Sequence, residues 1–228
     1  MKFLKIIIQF IIISYALHGV VLAKSNIISD IFSPKKTTPS RKFTNDISVP
    51  KKFHTTNNLV RKSGSFYIAR GEIIYIKGTI TDSFGVPISG VVIEIWQTNS
   101  IGKYQSLLPK DSDFFDKYFA GSGRAVTDNF GNYSFITVMP GSYLERVPHI
   151  NFNVYHPKFG KIETEMYFDQ YPDNLKDYHY LSYSREERSL ITAEVRLKNM
   201  FDPKSNKIFK FDMVMEGVHL YKNFGSSI

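Results

Sequence analysis

The stretch Ile76–Tyr104 reads I-K-G-T-I-T-D-S-F-G-V-P-I-S-G-V-V-I-E-I-W-Q-T-N-S-I-G-K-Y, and it decides the fold. Its opening and the run Val86–Ile95 are rich in Ile, Val and Thr, the β-branched residues that favour extended backbone. Between these runs, Asp82–Gly85 combines Asp, Ser and Gly, which favour tight turns. The stretch therefore predicts two strands that are joined by a turn.

The alternation of strand and turn continues along the chain. Turns are predicted at Thr127–Asn132 and at Pro140–Gly141, and further strands at Tyr133–Val138, Ile150–Tyr155 and Ile208–Leu220. Short strands separated by Gly and Pro turns are typical of an antiparallel β-sandwich. We therefore expect an all-β fold of this kind.

A single helix is indicated, near the C-terminal end. Ser184 and Glu187 have the spacing of a capping box, and Leu190 and Ile191 follow as an apolar face. The full expectation is an antiparallel β-sandwich with one short C-terminal helix and long loops.

The first 23 residues have the composition of a secretory signal peptide. Lys2 and Lys5 precede the apolar run Ile6–Leu17, and Val21 and Ala23 occupy the small-residue positions of a cleavage site. This pattern predicts cleavage near Ala23 and export, either to a periplasm or to the medium. An uncleaved membrane anchor is the alternative, because the apolar stretch is just long enough to span a bilayer.

Composition divides the rest of the chain into two parts. Residues 24–65 are rich in Lys, Ser, Thr, Asn and Pro, which predicts a polar tether or irregular N-terminal arm, and residues 66–228 form the expected domain. The chain has no Cys, which excludes disulfides, thiol catalysis and Cys-ligated metals. Its net charge is +8, but Lys and Arg are scattered among acidic residues, so we expect no nucleic-acid binding.

The opening stretch also carries a family signature. Its informative residues are Gly78, Gly85, Pro87, Gly90, Glu94, Trp96, Gln97, Asn99, Gly102 and Tyr104. The first half, G-x-x-x-D-x-x-G-x-P-x-x-G, also occurs in transthyretin-like (prealbumin-like) and carboxypeptidase-associated sandwiches. The ending, W-Q-x-N-x-x-G-x-Y, is more specific and resembles the intradiol ring-cleavage dioxygenases.

The resemblance continues in order to about residue 222. Phe119–Asp128 is similar to the family's F-x-G-x-G-R-x-x-T-D, and Asp128–Tyr143 to its D-x-x-G-x-Y-x-F-x-T-x-x-P-G-x-Y. Arg146–Phe152 resembles R-x-x-H-I-H-F, and Glu165–Phe168 resembles Q-x-Y-F. Phe209–Tyr221 resembles the last strands of protocatechuate dioxygenase β chains.

This resemblance implies a non-haem ferric site, with one Fe(3+) per chain, that the family holds with two Tyr and two His. Tyr104 and Tyr143 match the two tyrosinates, and His149 matches the first histidine. Phenolate oxygens suit a hard, highly charged ion such as ferric iron. Arg146 matches an arginine that stabilises charge on the substrate, and Tyr143 has a catalytic role as the tyrosinate that leaves the metal and takes a proton.

Two residues depart from the family pattern. Asn151 stands where the second His is expected, two residues after His149, and its amide oxygen is a weak replacement for an imidazole as a metal ligand. Glu165 stands where the family usually has Gln near the substrate, and a carboxylate there either adds a ligand or repels a catecholate. Trp96, the only Trp, is expected with Glu165 in the substrate pocket.

Three functional hypotheses follow. The first is an iron-dependent dioxygenase that cleaves a catechol-type ring, with a small aromatic diol and O2 as its partners. The alternative is an exported, catalytically degenerate β-sandwich that binds a catecholic ligand, a metal or a partner, because Asn151 replaces the second His. The third is a transthyretin-like binding module. Pairing of the chain with itself or with a related subunit stays open.

Overall fold

The computed structural model describes residues 35–39, 48–62, 65–197 and 207–217. The predicted signal peptide, residues 1–23, lies outside these ranges, as does much of the predicted tether. Within the described ranges, no helix is long and apolar enough to cross a membrane.

Nine strands and two short α-helices lie in the described part of the domain. The strands are β1 (Ile73–Thr81), β2 (Val92–Trp96), β3 (Ser122–Val126), β4 (Asn132–Val138), β5 (His149–His156), β6 (Gly160–Phe168), β7 (Thr192–Leu197), β8 (Lys207–Lys210) and β9 (Met213–Val214). The helices are α1 (Tyr178–Ser182) and α2 (Arg185–Ile191), and Gln105–Leu107 and Pro172–Lys176 form single 3-10 turns. The all-β prediction is confirmed.

The strands form one nearly closed sheet rather than the two separate sheets of a sandwich, and this corrects the expected architecture. Their order is β3-β2-β5-β6-β7-β8-β1-β4, with β9 also paired to β1. Strand β7 pairs with β6 through Thr192 and Ala193 and with β8 from Glu194 onward. It therefore joins the β3-β2-β5-β6 part of the sheet to the β8-β1-β4 part. The β6–β7, β1–β8 and β1–β9 pairs are parallel, so the sheet is mixed.

A short segment of the polar N-terminal region closes the gap between the two end strands. The backbone carbonyl of Thr56 accepts a hydrogen bond from Arg124 N on β3 at 2.9 Å, and that of Asn57 accepts one from Ile136 N on β4 at 2.9 Å. Leu59, fully buried, anchors this segment in the core. We call residues 56–59 the closing strap.

The strand β5 shows how the sheet separates its core from its site. Successive side chains of a strand point to opposite faces. Ile150, Phe152 and Val154 are fully buried in the hydrophobic core. His149 and Asn151 therefore lie together on the other face.

The predicted helix is confirmed, and one helix was missed. Both reciprocal hydrogen bonds of the capping box between Ser184 and Glu187 are present at the start of α2. The missed helix, α1, has only five residues, too few for a periodic apolar pattern to be visible in the sequence. Its N-cap residue is Asp177, whose side chain accepts from Tyr180 N.

Candidate active site

The loop after β2 is built around the side chains of Gln97 and Asn99. Gln97 donates to the carbonyl of Val138 at 2.9 Å and so ties this loop to the end of β4. The Asn99 carboxamide oxygen accepts from the backbone N–H groups of Ile101 and Lys103, which folds the loop back. These two side chains explain the Gln and Asn of the W-Q-x-N-x-x-G-x-Y pattern, because they position Tyr104 at its end.

Glycines bring the two tyrosine loops into contact. Gly102 has a φ of +78°, and a Cβ atom there would lie 1.9 Å from the carbonyl oxygen of Ser142. Gly141 N donates to the carbonyl of Asn99 at 2.9 Å. This close approach places the rings of Tyr104 and Tyr143 edge to face, with centroids 5.0 Å apart.

The central strands place the other site residues side by side. Asn151 on β5 is the register partner of Trp96 on β2 and of Glu165 on β6, and His149 is the partner of Tyr167. Partners in register share a face of the sheet. Five side chains from three strands therefore cover one patch of the non-core face, and all five are buried.

The tyrosine and histidine donors converge at this patch. Tyr104 Oη lies 3.3 Å from His149 Nε2. The other ring nitrogen, Nδ1, is 2.7 Å from the carbonyl of Val147, and because a carbonyl can only accept, Nδ1 carries the proton. Burial first, and then the charge of Arg146, lower the pKa of His149. The imidazole is therefore neutral and presents its Nε2 lone pair to Tyr104.

The Asn151 amide is oriented by a backbone group. Its Nδ2 lies 3.2 Å from the carbonyl oxygen of Trp96 and 3.2 Å from Tyr104 Oη. Because the Trp96 carbonyl accepts only, this side of the amide is the NH2 group. Asn151 therefore directs N–H donors, not its oxygen, at Tyr104.

Arg146 lies between two buried carboxylates. Its Nε donates to both oxygens of Asp177, at 3.0 and 3.2 Å, and its Nη2 donates to Glu165 Oε2 at 2.9 Å and to Tyr167 Oη at 2.6 Å. Its Nη1 has no hydrogen-bond partner in the described part of the chain. We call Arg146, Glu165, Tyr167 and Asp177 the arginine cluster.

Charge interactions fix the protonation states of this cluster. Burial alone would raise the pKa of Glu165, but Arg146 and then His149 and Tyr167 outweigh burial and lower it. For Tyr167, burial and the nearby charge of Glu165 raise the pKa far above its usual range. Tyr167 is therefore a neutral phenol that donates to Glu165 at 2.7 Å, and Glu165 is a carboxylate.

Asp177 and Tyr167 are site residues that the sequence reasoning missed. Asp177 is fully buried, and besides Arg146 it accepts from the backbone N–H groups of Val147 and Tyr180. An Asp ahead of an apolar run is an N-cap signal that could have been read. A single sequence does not indicate that Asp177 pairs with Arg146, because the two residues are 31 positions apart.

Asp177→Asn is expected to lower the free energy of unfolding by about 3 kcal/mol at neutral pH, because it breaks a buried ion pair. Burial would raise the pKa of Asp177, but Arg146 and the backbone donors lower it below its ordinary value of 3.8. A carboxyl with a lowered folded pKa stabilises the fold above its ordinary pKa and loses that contribution as the pH falls through the folded value. Urea unfolding should therefore show the deficit at neutral pH and its shrinkage in acid below 3.8.

The control for this change is Asp173→Asn. Asp173 forms an exposed ion pair with Lys176 in the preceding 3-10 turn. Exposed pairs contribute little, so this change should leave unfolding almost unaltered at every pH. Equal effects of the two substitutions would contradict the structural role given to Asp177.

Trp96 is covered by the N-terminal region of the described chain. Its indole Nε1 donates to Ser48 Oγ at 3.1 Å, and the ring of Phe53 meets it edge to face at 5.8 Å. Its side chain shares the face of Asn151, and its carbonyl accepts a hydrogen bond from the Asn151 amide. Its place in the substrate pocket stays a prediction.

The donor set at this patch fits ferric iron. Among the described residues, no group of three or more His, Asp and Glu side chains could hold a metal ion. The donors that converge are the hydroxyl of Tyr104, with the ring of Tyr143 against it, and the neutral Nε2 of His149. Phenolate oxygen and imidazole nitrogen are ligands that iron accepts.

Comparison with known proteins places the chain among dioxygenases by sequence. A family model described as Dioxygenase matches residues 51–217. A protein of Rickettsia felis, named provisionally as a dioxygenase, is 37% identical over 60% of this chain and 73% of its own length. The protocatechuate 3,4-dioxygenase beta chain of Burkholderia cepacia is 35% identical over 43% of this chain and 45% of its own.

Solved structures share the fold. The intradiol ring-cleavage dioxygenase from Tetranychus urticae superimposes with a TM-score of 0.60 over 81% of this chain and 97% of its own, at 16% identity. At this identity the likeness concerns the fold, and it extends over nearly all of the described domain.

Proposed function

Because the chain belongs to the intradiol dioxygenase family, we propose that it is an iron-dependent enzyme that uses O2 to cleave the ring of a catechol-type substrate between its hydroxyl groups. The observation that carries the proposal is the convergence of Tyr104, Tyr143 and His149. Family membership supports dioxygenase activity in general, and the donor set supports iron as its metal.

Tyr104, Tyr143 and His149 would hold the ferric ion, and when bound it would supply the Lewis acid that activates the diol toward O2. Asn151 has a different role in this proposal. Its Nδ2 faces Tyr104 Oη, so it would donate a hydrogen bond to the phenolate instead of offering its oxygen to the metal. The second histidine of the family pattern is thereby replaced by a group that would stabilise the negative charge of Tyr104.

Tyr143 and Arg146 would act on the substrate. They lie at the two ends of one tight turn, in which the N–H and carbonyl of each pair with those of the other. Tyr143 is half-buried, in reach of solvent, and its phenolate would take a proton from a catechol hydroxyl. The Nη1 group of Arg146 would stabilise negative charge that develops on the oxygens of the substrate ring.

The test is iron content together with the visible spectrum. After anaerobic loading with ferrous iron and oxidation in air, the protein should hold close to one iron per chain and show a tyrosinate-to-iron charge-transfer band. Addition of a catechol should shift this band, and oxygen uptake should follow. Tyr104→Phe should weaken and shift the band, because it removes one of the two phenolate donors.

Tyr155→Phe is the matched control. Tyr155 lies on β5, on the same face as His149 and Asn151, but at the far end of the strand and 38% exposed. The Tyr155→Phe variant should still bind about one iron per chain and show the charge-transfer band. A fully folded, colourless natural protein that binds no iron would overturn the proposal and favour the non-catalytic binding protein.

A further inference from the structure

The turn between Tyr143 and Arg146 is a two-residue hairpin loop with an unexpected residue at its tip. Tyr143 N donates to the Arg146 carbonyl at 3.0 Å, and Arg146 N donates to the Tyr143 carbonyl at 2.9 Å, so Leu144 and Glu145 form the tip. Leu144 has a φ of +53°, in the left-handed region. The favoured loops of this length need a positive φ at their first residue and usually carry Gly, Asn or Asp there. Leucine is therefore an unfavourable residue for this position.

The Leu144 side chain gains almost no packing in return for this backbone strain. It is 85% exposed, so most of its apolar surface stays in water. The hairpin is held at both ends, which explains how the strained conformation persists. On one side Gly141 N donates to the Asn99 carbonyl at 2.9 Å. On the other side Asp177 accepts from Arg146 Nε at 3.0 Å.

We propose that Leu144 determines substrate specificity by packing against an apolar substituent on the ring of a catechol-type substrate. The proposal rests on the proposed function and specifies its substrate class. Tyr143 and Arg146 are cross-strand partners, so their side chains leave the hairpin on the same face. A substrate on which both of them act lies against this hairpin, with Leu144 next to it.

The chemistry of the side chain decides which substituent it favours. Leucine has no hydrogen-bonding group, so it gains free energy only when its apolar surface leaves water. A substituent that covers about 40–60 Å² of apolar surface, counted on both partners, raises the affinity by about five- to tenfold. Catechol itself carries no substituent and therefore gains little from Leu144.

The experiment compares catechol with 4-tert-butylcatechol. Each is titrated without oxygen into the iron-loaded protein, and binding is followed by the charge-transfer band. The natural protein should bind 4-tert-butylcatechol more tightly than catechol. In Leu144→Gly this preference should fall by about fivefold or more. In Leu144→Met, which keeps an apolar side chain of similar size, the preference should persist.

Urea unfolding of the iron-free protein gives a second readout, which a purely structural role would move in the opposite direction. Leu144→Gly introduces the residue that adopts a positive φ without strain, so the urea midpoint should stay the same or rise. A side chain that served the packing of the fold would instead lower the midpoint when it is removed. A lower midpoint together with an unaltered affinity ratio would therefore assign Leu144 to the fold alone and overturn the proposal.

Gln170→Gly is the matched control. Among the described residues, Gln170 is the other non-glycine residue with a positive φ, at +58°, and it lies exposed in the turn after β6. Its replacement relieves a similar strain without removing apolar surface from the hairpin tip. The affinity ratio of the two catechols should therefore stay as in the natural protein.

The outcomes separate the two proposals. Equal affinity of the natural protein for the two catechols, or a ratio that Leu144→Gly leaves unaltered, overturns the role of Leu144 and leaves the dioxygenase proposal standing. If Leu144→Gly does not fold, Leu144→Asn takes its place in the titration, because Asn also tolerates the left-handed region. Failure of both catechols to bind the iron-loaded natural protein overturns the proposed function, and the role of Leu144 with it.

Discussion

Asn151→His is expected to raise the affinity of the protein for iron by about tenfold or more, since it adds an imidazole to the ligand set. Residues 149 and 151 share one face of β5, so a second imidazole at 151 points to the place where Tyr104 and His149 meet. The natural amide cannot substitute for it, because its NH2 group faces Tyr104.

The same substitution should have the opposite effect on the iron-free protein. Asn151 donates to the Trp96 carbonyl, and loss of a buried hydrogen bond lowers the free energy of unfolding by about 1 kcal/mol. Thermal unfolding should therefore show a lower melting temperature without iron and a larger rise on loading than in the natural protein.

Competition with a chelator, read from the visible spectrum, measures the affinity directly. Asn153→His is the control, because residue 153 lies on the same face one step further along β5 and is half-buried. It should leave iron affinity unchanged. Equal effects at 151 and 153 would mean that Asn151 does not occupy a ligand position.

Arg146→Met is expected to destabilise the fold by about 3–5 kcal/mol, because it removes the guanidinium that pairs with two buried carboxylates. The Arg146 side chain is 17% exposed, and those of Glu165 and Asp177 are 7% and 0% exposed. Solvent therefore cannot take over the role of the guanidinium. Urea unfolding at neutral pH measures the loss.

A second substitution should recover part of this stability. In Arg146→Met with Glu165→Gln, one of the two buried carboxylates that faced Arg146 is gone, so the double variant should be more stable than Arg146→Met alone. Arg124→Met is the comparison: Arg124 pairs with Glu94 on the same sheet but is 37% exposed. Arg124→Met should lower the free energy of unfolding by about 1 kcal/mol or less. A similar loss at both arginines would show that burial is not what makes Arg146 important.

Local sequence patterns predicted β1, β2, β4, β5 and the region of β8 and β9, because strand and turn residues act over short distances, but they did not predict β3, β6 or β7. Gly85, Pro87 and Gly131 mark turns that the structure contains, and the capping box at Ser184 begins α2 as expected. The closure of the sheet was not predictable in this way. It depends on the switch of β7 between two partners and on the closing strap, both of which are pairings between distant segments.

The candidate site was predictable to a similar extent. The motif grouped Tyr104, Tyr143 and His149, and Tyr104 contacts both of the others, while their role as iron ligands stays a prediction. The orientation of the Asn151 amide could not be predicted, since it is set by a backbone carbonyl on another strand. The neutralisation of Arg146 likewise needs Asp177, from a segment that no motif includes.

The closing strap has a consequence for the two exposed edges of the sheet. The end strands β3 and β4 would otherwise present free backbone donors and acceptors, which are templates for adding strands from other chains. Thr56 and Asn57 occupy these positions on both strands at once. A polar stretch that looks dispensable by composition is thus the domain's protection against edge-to-edge aggregation, and a shortened version of the protein should retain it.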